Sequence, residues 1–173
     1  MENVFLGIGS NVGDRVHFLA EAVRKVGGLT ATRVVKISSV YETEPVGVKN
    51  QDAFLNAVVW VQTPIELAAF HSRMKMIEKE MGRVERVRWG PREIDIDVLL
   101  YGSHVMNGDA IVVPHKEMVN RKFVLQPFAE IAPETIHPLE HKTIKELLVV
   151  CIDTNAVNLS AELTRSLFTT LQE

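Results

Sequence analysis

The sequence predicts an α+β fold, one sheet carrying helices, and three observations point to it. Ala53 to Gln62 and Glu93 to Tyr101 alternate apolar and other residues with the period of two that a half-buried strand requires. Val16, Leu19, Val23 and Val26 recur at helical spacing, as do Leu67, Phe70, His71, Met74, Ile77 and Met81. In chain order these segments read β-α-β-β-α-β, with further helices behind them.

Each element has a local cause. Asn3 to Gly9 is a short apolar strand, and Ser10-Asn11-Val12-Gly13-Asp14 is a punctuated loop whose Asp14 is a candidate N-cap. The first helix then stops at Gly27-Gly28. Thr32 to Tyr41 is rich in β-formers, and Glu42 to Asp52 is a polar loop with Pro45 and Gly47. The next strand sets Leu55, Ala57, Val59 and Val61 on one face and Phe54, Asn56, Val58 and Trp60 on the other. Thr63-Pro64-Ile65-Glu66 has the form of a capping box with proline at the first helical position, which predicts a helix starting there. An arginine-rich loop follows, then a strand with Ile94, Ile96, Val98 and Leu100 on one face. Asn120 to Ala132 reads as a helix despite Pro127, and Thr143 to Glu146 is a second capping box. Leu159, Leu163, Leu167 and Leu171 predict a last amphipathic helix. The expected architecture is a ferredoxin-like β-α-β-β-α-β sandwich with additional C-terminal helices, residues 1–152 forming the main domain and 153–173 an extension packed on it.

Composition narrows the function classes. The chain of 173 residues is 46% apolar and 24% charged, with a net charge of −3, a globular mix that gives no global electrostatic reason to bind nucleic acid. No apolar run reaches the ~18–20 residues of a membrane span, no secretory leader pattern opens the chain, and a single cysteine, Cys151, excludes a disulfide framework. A cytoplasmic protein is expected, acting as a monomer without nucleic-acid or membrane partners.

The sharpest chemical signal is Arg88-Trp89-Gly90-Pro91-Arg92-Glu93-Ile94-Asp95-Ile96-Asp97. Asp95 and Asp97 lie two residues apart on a strand and share the face opposite Ile94, Ile96 and Val98, with Cα atoms ~6.5–7 Å apart. Two ionised carboxylates at that separation repel by roughly 2–3 kcal/mol at an effective dielectric of about 20. A hard divalent cation reverses that cost, and Mg²⁺ is commonly held by one or two carboxylates together with phosphate oxygens. Arg83, Arg86, Arg88 and Arg92 crowd the preceding loop, offset by Glu85, as a metal-bound polyphosphate requires. A solvated acidic strand face that merely neutralises the arginines is the plain alternative, although exposed pairs of that kind contribute only ~0–1 kcal/mol.

Other anomalies surround this block. Glu78 falls inside the apolar stripe of its helix, where an acid must be paired or hydrogen-bonded; it either meets a loop arginine or solvent, or accepts a ligand donor at a pocket wall. His115, Asn120, Arg121 and Phe123 form a third cluster able to donate to phosphate. Phe54 beside Asn56 suits a flat heterocycle, which stacks on a ring while an amide meets its edge; for Phe54 and Trp60 taken singly, ordinary packing is the simpler account. Gly7-Ile8-Gly9-Ser10-Asn11 is too short for a dinucleotide fingerprint or P-loop and reads as a tight strand exit.

Together these pieces resemble the 6-hydroxymethyl-7,8-dihydropterin pyrophosphokinase family of folate biosynthesis. The resemblance is carried by Gly9-Ser10-Asn11, Tyr41-Glu42-Thr43 with Pro45 and Gly47, Phe54-Leu55-Asn56, Gly82-Arg83, the Arg88–Asp97 block with Val98-Leu99-Leu100, and Val113-Pro114-His115 with Asn120-Arg121 and Phe123. It implies transfer of pyrophosphate from the co-substrate ATP to a pterin hydroxymethyl group, with release of AMP. It implies that Asp95 and Asp97 hold two Mg²⁺ ions, that Arg83 and Arg92 support the transferred group, and that Arg86, Arg88, Trp89, Arg92, His115 and Arg121 bind ATP with Glu78 at its nucleoside. Phe54 and Phe123 would enclose the pterin, with Asn56, Asp95 and the stretch Thr43, Glu44 and Val46 reading its edges, and the loop Gly82 to Pro91 would close over both substrates. Departures from the family pattern are Glu85, Lys75, Ala110 and Lys116, where a basic residue, glutamine, arginine and an aromatic are common; they bear on ATP affinity. A noncatalytic RNA- or nucleotide-binding module and a Mg²⁺-dependent nucleotide hydrolase are the competing readings. The open strand face lacks the stacking aromatics of the RNA binders.

Overall fold

A computed structural model describes residues 1–45, 51–84 and 90–173. Val46, Arg86, Arg88 and Trp89, named above as site residues, lie outside the described residues, as does Glu85.

The chain runs β1 (Glu2–Ser10), α1 (Arg15–Gly27), β2 (Arg33–Ile37), β3 (Tyr41–Thr43), β4 (Phe54–Thr63), α2 (Leu67–Glu80) and β5 (Asp95–Tyr101). The short strands β6 (Met106–Asn107) and β7 (Val112–Val113), a 3-10 turn at Met118–Asn120, α3 (Lys122–Ile131), α4 (Ile144–Val150), β8 (Val157–Leu159) and α5 (Ala161–Gln172) complete it. The main sheet has the order β5-β1-β4-β3-β8, with β2 also on β4, and its pairings are antiparallel. β6 and β7 form a separate hairpin.

Alternation on the strands decides what each face buries. Val4, Leu6 and Ile8 of β1, Leu55, Ala57, Val59 and Val61 of β4, and Ile96 and Val98 of β5 enter one core under α1, α2 and Leu167 of α5. On the other face Phe5, Val58, Leu99 and Leu100 meet Val124, Leu125 and Phe128 of α3 and Ile144 and Leu147 of α4; Leu100, expected beside Val98, joins Leu99 here because the register of β1 against β5 shifts between Phe5 and Leu6. The Phe5 and Phe128 rings lie 4.4 Å apart and Trp60 packs 5.5 Å from Phe5, so Trp60 is packing rather than a ligand surface. Burying each such side chain contributes about 1.5–3 kcal/mol. Because α3 covers only one end of this second face, the other end, at Asp95 and Asn56, borders a cleft.

Several local expectations hold. Asp14 caps α1 by accepting the His17 N–H at 3.0 Å. Thr143 and Glu146 form a complete reciprocal capping box.

Others do not. The Thr63–Glu66 box is absent because Thr63 ends β4 opposite Glu2, with its hydroxyl 2.8 Å from that of Thr32 and accepting the Ile65 N–H at 3.2 Å. α2 therefore starts at Leu67, with Glu66 extended and making no side-chain cap bond. Thr32 and the Ile65 N–H have taken the hydroxyl that the cap would have used. The Thr32 to Tyr41 stretch breaks into two strands at Ser38, which exchanges bonds of 2.9 Å with Val58 through its backbone N–H and side-chain hydroxyl. Leu159 belongs to β8 and is exposed, while Leu163, Leu167 and Leu171 do lie on α5.

Candidate active site

The two acids of β5 are positioned by register. Asp95 pairs with Gly9 of β1, and Asp97 with Gly7. Gly9 in turn pairs with Asn56 of β4, which pairs with Tyr41 of β3. One row thus runs Asp95, Gly9, Asn56 across three strands, spanning about 10 Å at ~4.8 Å per strand. Gly7 and Gly9 lie within β1, not at a tight strand exit, and they supply the floor. A Cβ on Gly9 would stand 3.1 Å from Asn56 Oδ1, and one on Gly7 3.3 Å from Leu99 Cδ2, so side chains there would fill the space between the acids and the amide.

The cleft over this floor has a volume of about 590 Å³, within the range of small-molecule sites. Arg92, Asp95, Asp97, His115 and Arg121 line one part of it. Thr43, Glu44, Phe54, Asn56 and Phe123 line it as well. Asn56, nearly buried, donates from Nδ2 to Thr43 Oγ1 at 2.8 Å, which fixes the amide between β3 and β4. Arg121 Cζ stands 5.8 Å from the centre of the Phe123 ring, within cation–π range. His115 donates its backbone N–H to Leu99 O at 2.9 Å, while its Nδ1 accepts the Glu117 N–H at 3.3 Å. That bond puts the ring proton on Nε2, which faces Asp97 Oδ2 at 3.9 Å.

The charges are closely balanced. Asp95 Oδ1 takes Arg83 Nη1 at 2.7 Å, and Oδ2 is paired with Arg92. Burial opposes ionisation of Asp95, but Arg92 and then Arg83 outweigh it and hold the carboxyl below its usual range. Asp97 goes the other way: burial first, then repulsion from Asp95, push its carboxyl up. Lys75 Nζ lies 3.9 Å from Asp97 and 3.0 Å from Glu78.

Glu78 and Arg83 do not line the cleft. The Glu78 carboxylate is 2.6 Å from Arg83 Nη1 and accepts the Ile96 N–H at 2.6 Å, behind the two aspartates. Burial raises the Glu78 carboxyl, with Lys75 the strongest opposing influence. The acid on the apolar stripe is thus paired with a loop arginine. Asn11, nearly buried, donates to Gln51 Oε1 and to Asp52 O, each at 3.1 Å, and accepts the Arg92 N–H at 2.8 Å.

Among the described residues no three acidic, histidine or cysteine side chains converge as a metal cage. A divalent ion held by Asp95 and Asp97 would draw the remainder of its oxygen shell from phosphate and water, which suits Mg²⁺. The donor set fits: two hard carboxylates side by side, one of them destabilised as an anion by the other.

The cleft also has residues that the sequence did not single out. Gly7 and Gly9, read from the sequence as part of a strand exit, are floor residues instead. Glu117 and the stretch Ile152 to Asn155 carried no local signal.

Comparison with known proteins gives this arrangement a family. A pyrophosphokinase of Aquifex aeolicus (strain VF5), 2-amino-4-hydroxy-6-hydroxymethyldihydropteridine pyrophosphokinase, is 43% identical over 146 residues, which cover 84% of this chain and 90% of that protein. The protein of the same name from Bacillus subtilis (strain 168) is 41% identical over 135 residues, 78% of this chain and 81% of its own. The fold matches that of wild-type Plasmodium falciparum HPPK-DHPS crystallised with pteroate, with a TM-score of 0.68 at 15% identity, covering 86% of this chain but only 42% of that longer one. The model of 7,8-dihydro-6-hydroxymethylpterin-pyrophosphokinase (HPPK) matches residues 5–133, the span that holds both aspartates, their glycine partners and the aromatic end of the cleft. The chain belongs to the HPPK family.

Proposed function

We propose that the protein transfers the terminal diphosphate of ATP to the hydroxymethyl group of 6-hydroxymethyl-7,8-dihydropterin, giving the pterin diphosphate and AMP in folate biosynthesis. The observation that carries this is the row Asp95-Gly9-Asn56, which joins an acid–arginine end of one cleft to an amide–aromatic end. The strand order β5-β1-β4 with β2 and β3 beyond supports a ferredoxin-like core beneath it, and residues 153–173 are read as an extension of the same unit.

Asp95 and Asp97 would hold two Mg²⁺ ions, which when bound neutralise phosphate charge and polarise the phosphorus centre. Phe54 and Phe123 enclose the pterin ring, and Asn56, Thr43 and Glu44, continued by Val46, read its edges. Arg121 and His115 Nε2–H donate to phosphate oxygens, with Arg86, Arg88 and Trp89 as further ATP contacts, while Glu78, which does not line the cleft, acts only by holding Arg83 and the Ile96 N–H behind the aspartates. The pterin hydroxyl oxygen forms a bond to the β-phosphorus as the bond from that phosphorus to the α-bridging oxygen breaks. AMP leaves with the bonding electrons, and the hydroxyl proton is released. Arg92, already on Asp95, would stabilise the transferred group directly, and Arg83, set behind the aspartates, would act through Asp95. Positioning and charge neutralisation carry such a reaction without a covalent intermediate. Among the described residues no helix is long and apolar enough to cross a membrane.

Nucleotide release measured with ATP, Mg²⁺ and the hydroxymethyl-dihydropterin tests this. AMP formed in step with pterin diphosphate is expected. ADP as the product, or AMP released equally without the pterin, contradicts it.

A further inference from the structure

The cleft wall between α3 and the sheet is completed by Ile152 to Asn155, the stretch that joins α4 to β8. This stretch is tied down on both sides. Asp153 Oδ2 accepts the backbone N–H of Lys122, the first residue of α3, at 2.9 Å. Its Oδ1 accepts the backbone and side-chain N–H groups of Asn155 at 3.0 and 2.6 Å. The residue preceding α3, Arg121, makes no side-chain cap bond of its own. A carboxylate from elsewhere in the chain therefore caps the helix, where open N–H groups and the positive end of the dipole favour an anion. On the far side Val157 pairs with Thr43, Ser160 N–H donates to Val40 O at 3.0 Å, and Val40 N–H donates to Thr164 Oγ1 at 2.9 Å. Arg121 and Phe123 flank the capped residue, and Thr43 sits at the anchored strand; all three line the cleft. Ile152 presents a largely exposed apolar side chain at the same wall.

We propose that Ile152–Asn155 forms a wall of the pterin-binding end of the cleft, and that Asp153 is a positioning residue that sets Phe123 by capping α3. This rests on the pyrophosphokinase reading. Asp153 touches no reacting atom in this scheme; its effect passes through the backbone of Lys122. Burial works against its charge, but the N–H groups of Asn155 and Lys122 outweigh that and keep it ionised well into acid.

Steady-state kinetics of the full chain and its Asp153→Ala and Asp153→Asn variants test the proposal. A lost helix cap corresponds to about fivefold in an equilibrium. Asp153→Ala is expected to raise KM for the pterin by about that factor, with kcat within twofold and KM for ATP changed less. Asp153→Asn keeps an oxygen for the Lys122 N–H and should recover most of the difference. If Asp153→Ala does not fold, Asn155→Ala serves, since it removes one donor that fixes the carboxylate and should shift pterin KM in the same direction by less. A pterin KM unchanged in the folded variants, with only melting temperature or kcat lowered, overturns the proposal and leaves the pyrophosphokinase reading standing. A wild-type chain that forms no pterin diphosphate overturns both.

Discussion

Glu78 and Ile96 meet across the seam between α2 and β5: the buried carboxylate accepts the strand's backbone N–H at 2.6 Å, between the two aspartates in sequence. The same carboxylate pairs with Arg83 and Lys75, so one acid fixes the strand and both cations. Replacing Glu78 by alanine leaves a buried N–H and two cations short of their partner. Loss of one member of a buried pair costs about 3–5 kcal/mol. A large drop in urea midpoint is expected for Glu78→Ala and a smaller one for Glu78→Gln, which keeps an acceptor for Ile96. Equal midpoints for alanine and wild type would contradict this.

The two aspartates should separate in their effects on stability. Asp95 is held by Arg83 and Arg92, whereas Asp97 has Lys75 Nζ and the His115 ring each at 3.9 Å and is repelled by Asp95. Asp97→Asn is expected to lower turnover by well over tenfold with a melting temperature at or above wild type. Asp95→Asn should lose comparable activity but melt lower, because two arginines lose a charged partner. Turnover that survives Asp97→Asn removes that residue from the site.

Crowding of the cleft floor gives a further check. Gly9→Ala places a methyl 3.1 Å from Asn56 Oδ1, and Asn56→Ala removes the amide held by Thr43. An unmade buried hydrogen bond is worth about 1–3 kcal/mol, so Asn56→Ala should raise pterin KM about tenfold or more while KM for ATP moves little. Gly9→Ala should shift in the same direction by less. Equal changes in both KM values would place the amide elsewhere than at the pterin.

His137 supplies a pH dependence remote from the cleft. It is almost fully buried, and its Nδ1 accepts the N–H groups of Leu139 and Glu140 at 3.3 and 3.1 Å. Burial lowers its pKa below the usual 6.5, Glu140 opposing and His141 adding. The native state thus favours the neutral ring. Its stabilisation is complete above about pH 6.5 and is lost as pH falls through the lowered native value. Urea midpoints measured from pH 7.5 to 5.5 should decline in wild type. Asn at this position offers Oδ1 in place of Nδ1 without titrating, so His137→Asn should flatten the decline; a parallel decline in both proteins contradicts the assignment.

What was legible in the sequence was local. The alternation of β4, the Thr143–Glu146 cap and the shared face of Asp95 and Asp97 follow from periods of a few residues, and all three appear in the structure. The Thr63–Glu66 box failed because Thr32 and the Ile65 N–H claimed the Thr63 hydroxyl. Gly7 and Gly9 gained their meaning only from register against Asp97, Asp95 and Asn56. Asp153 was invisible for the same reason, since its partner Lys122 is 31 residues away in the chain. Long-range register and capping are set by the fold as a whole, and no window of sequence carries them.

Tracing the phosphates tests the central claim most directly. With ATP labelled at the γ-phosphorus, the label should appear in the pterin product in proportion to AMP formed; with ATP labelled at the α-phosphorus, it should remain wholly in AMP. Label released from γ-labelled ATP as free phosphate or pyrophosphate, with the pterin left unlabelled, would contradict diphosphate transfer at the Asp95–Asp97 end of the cleft.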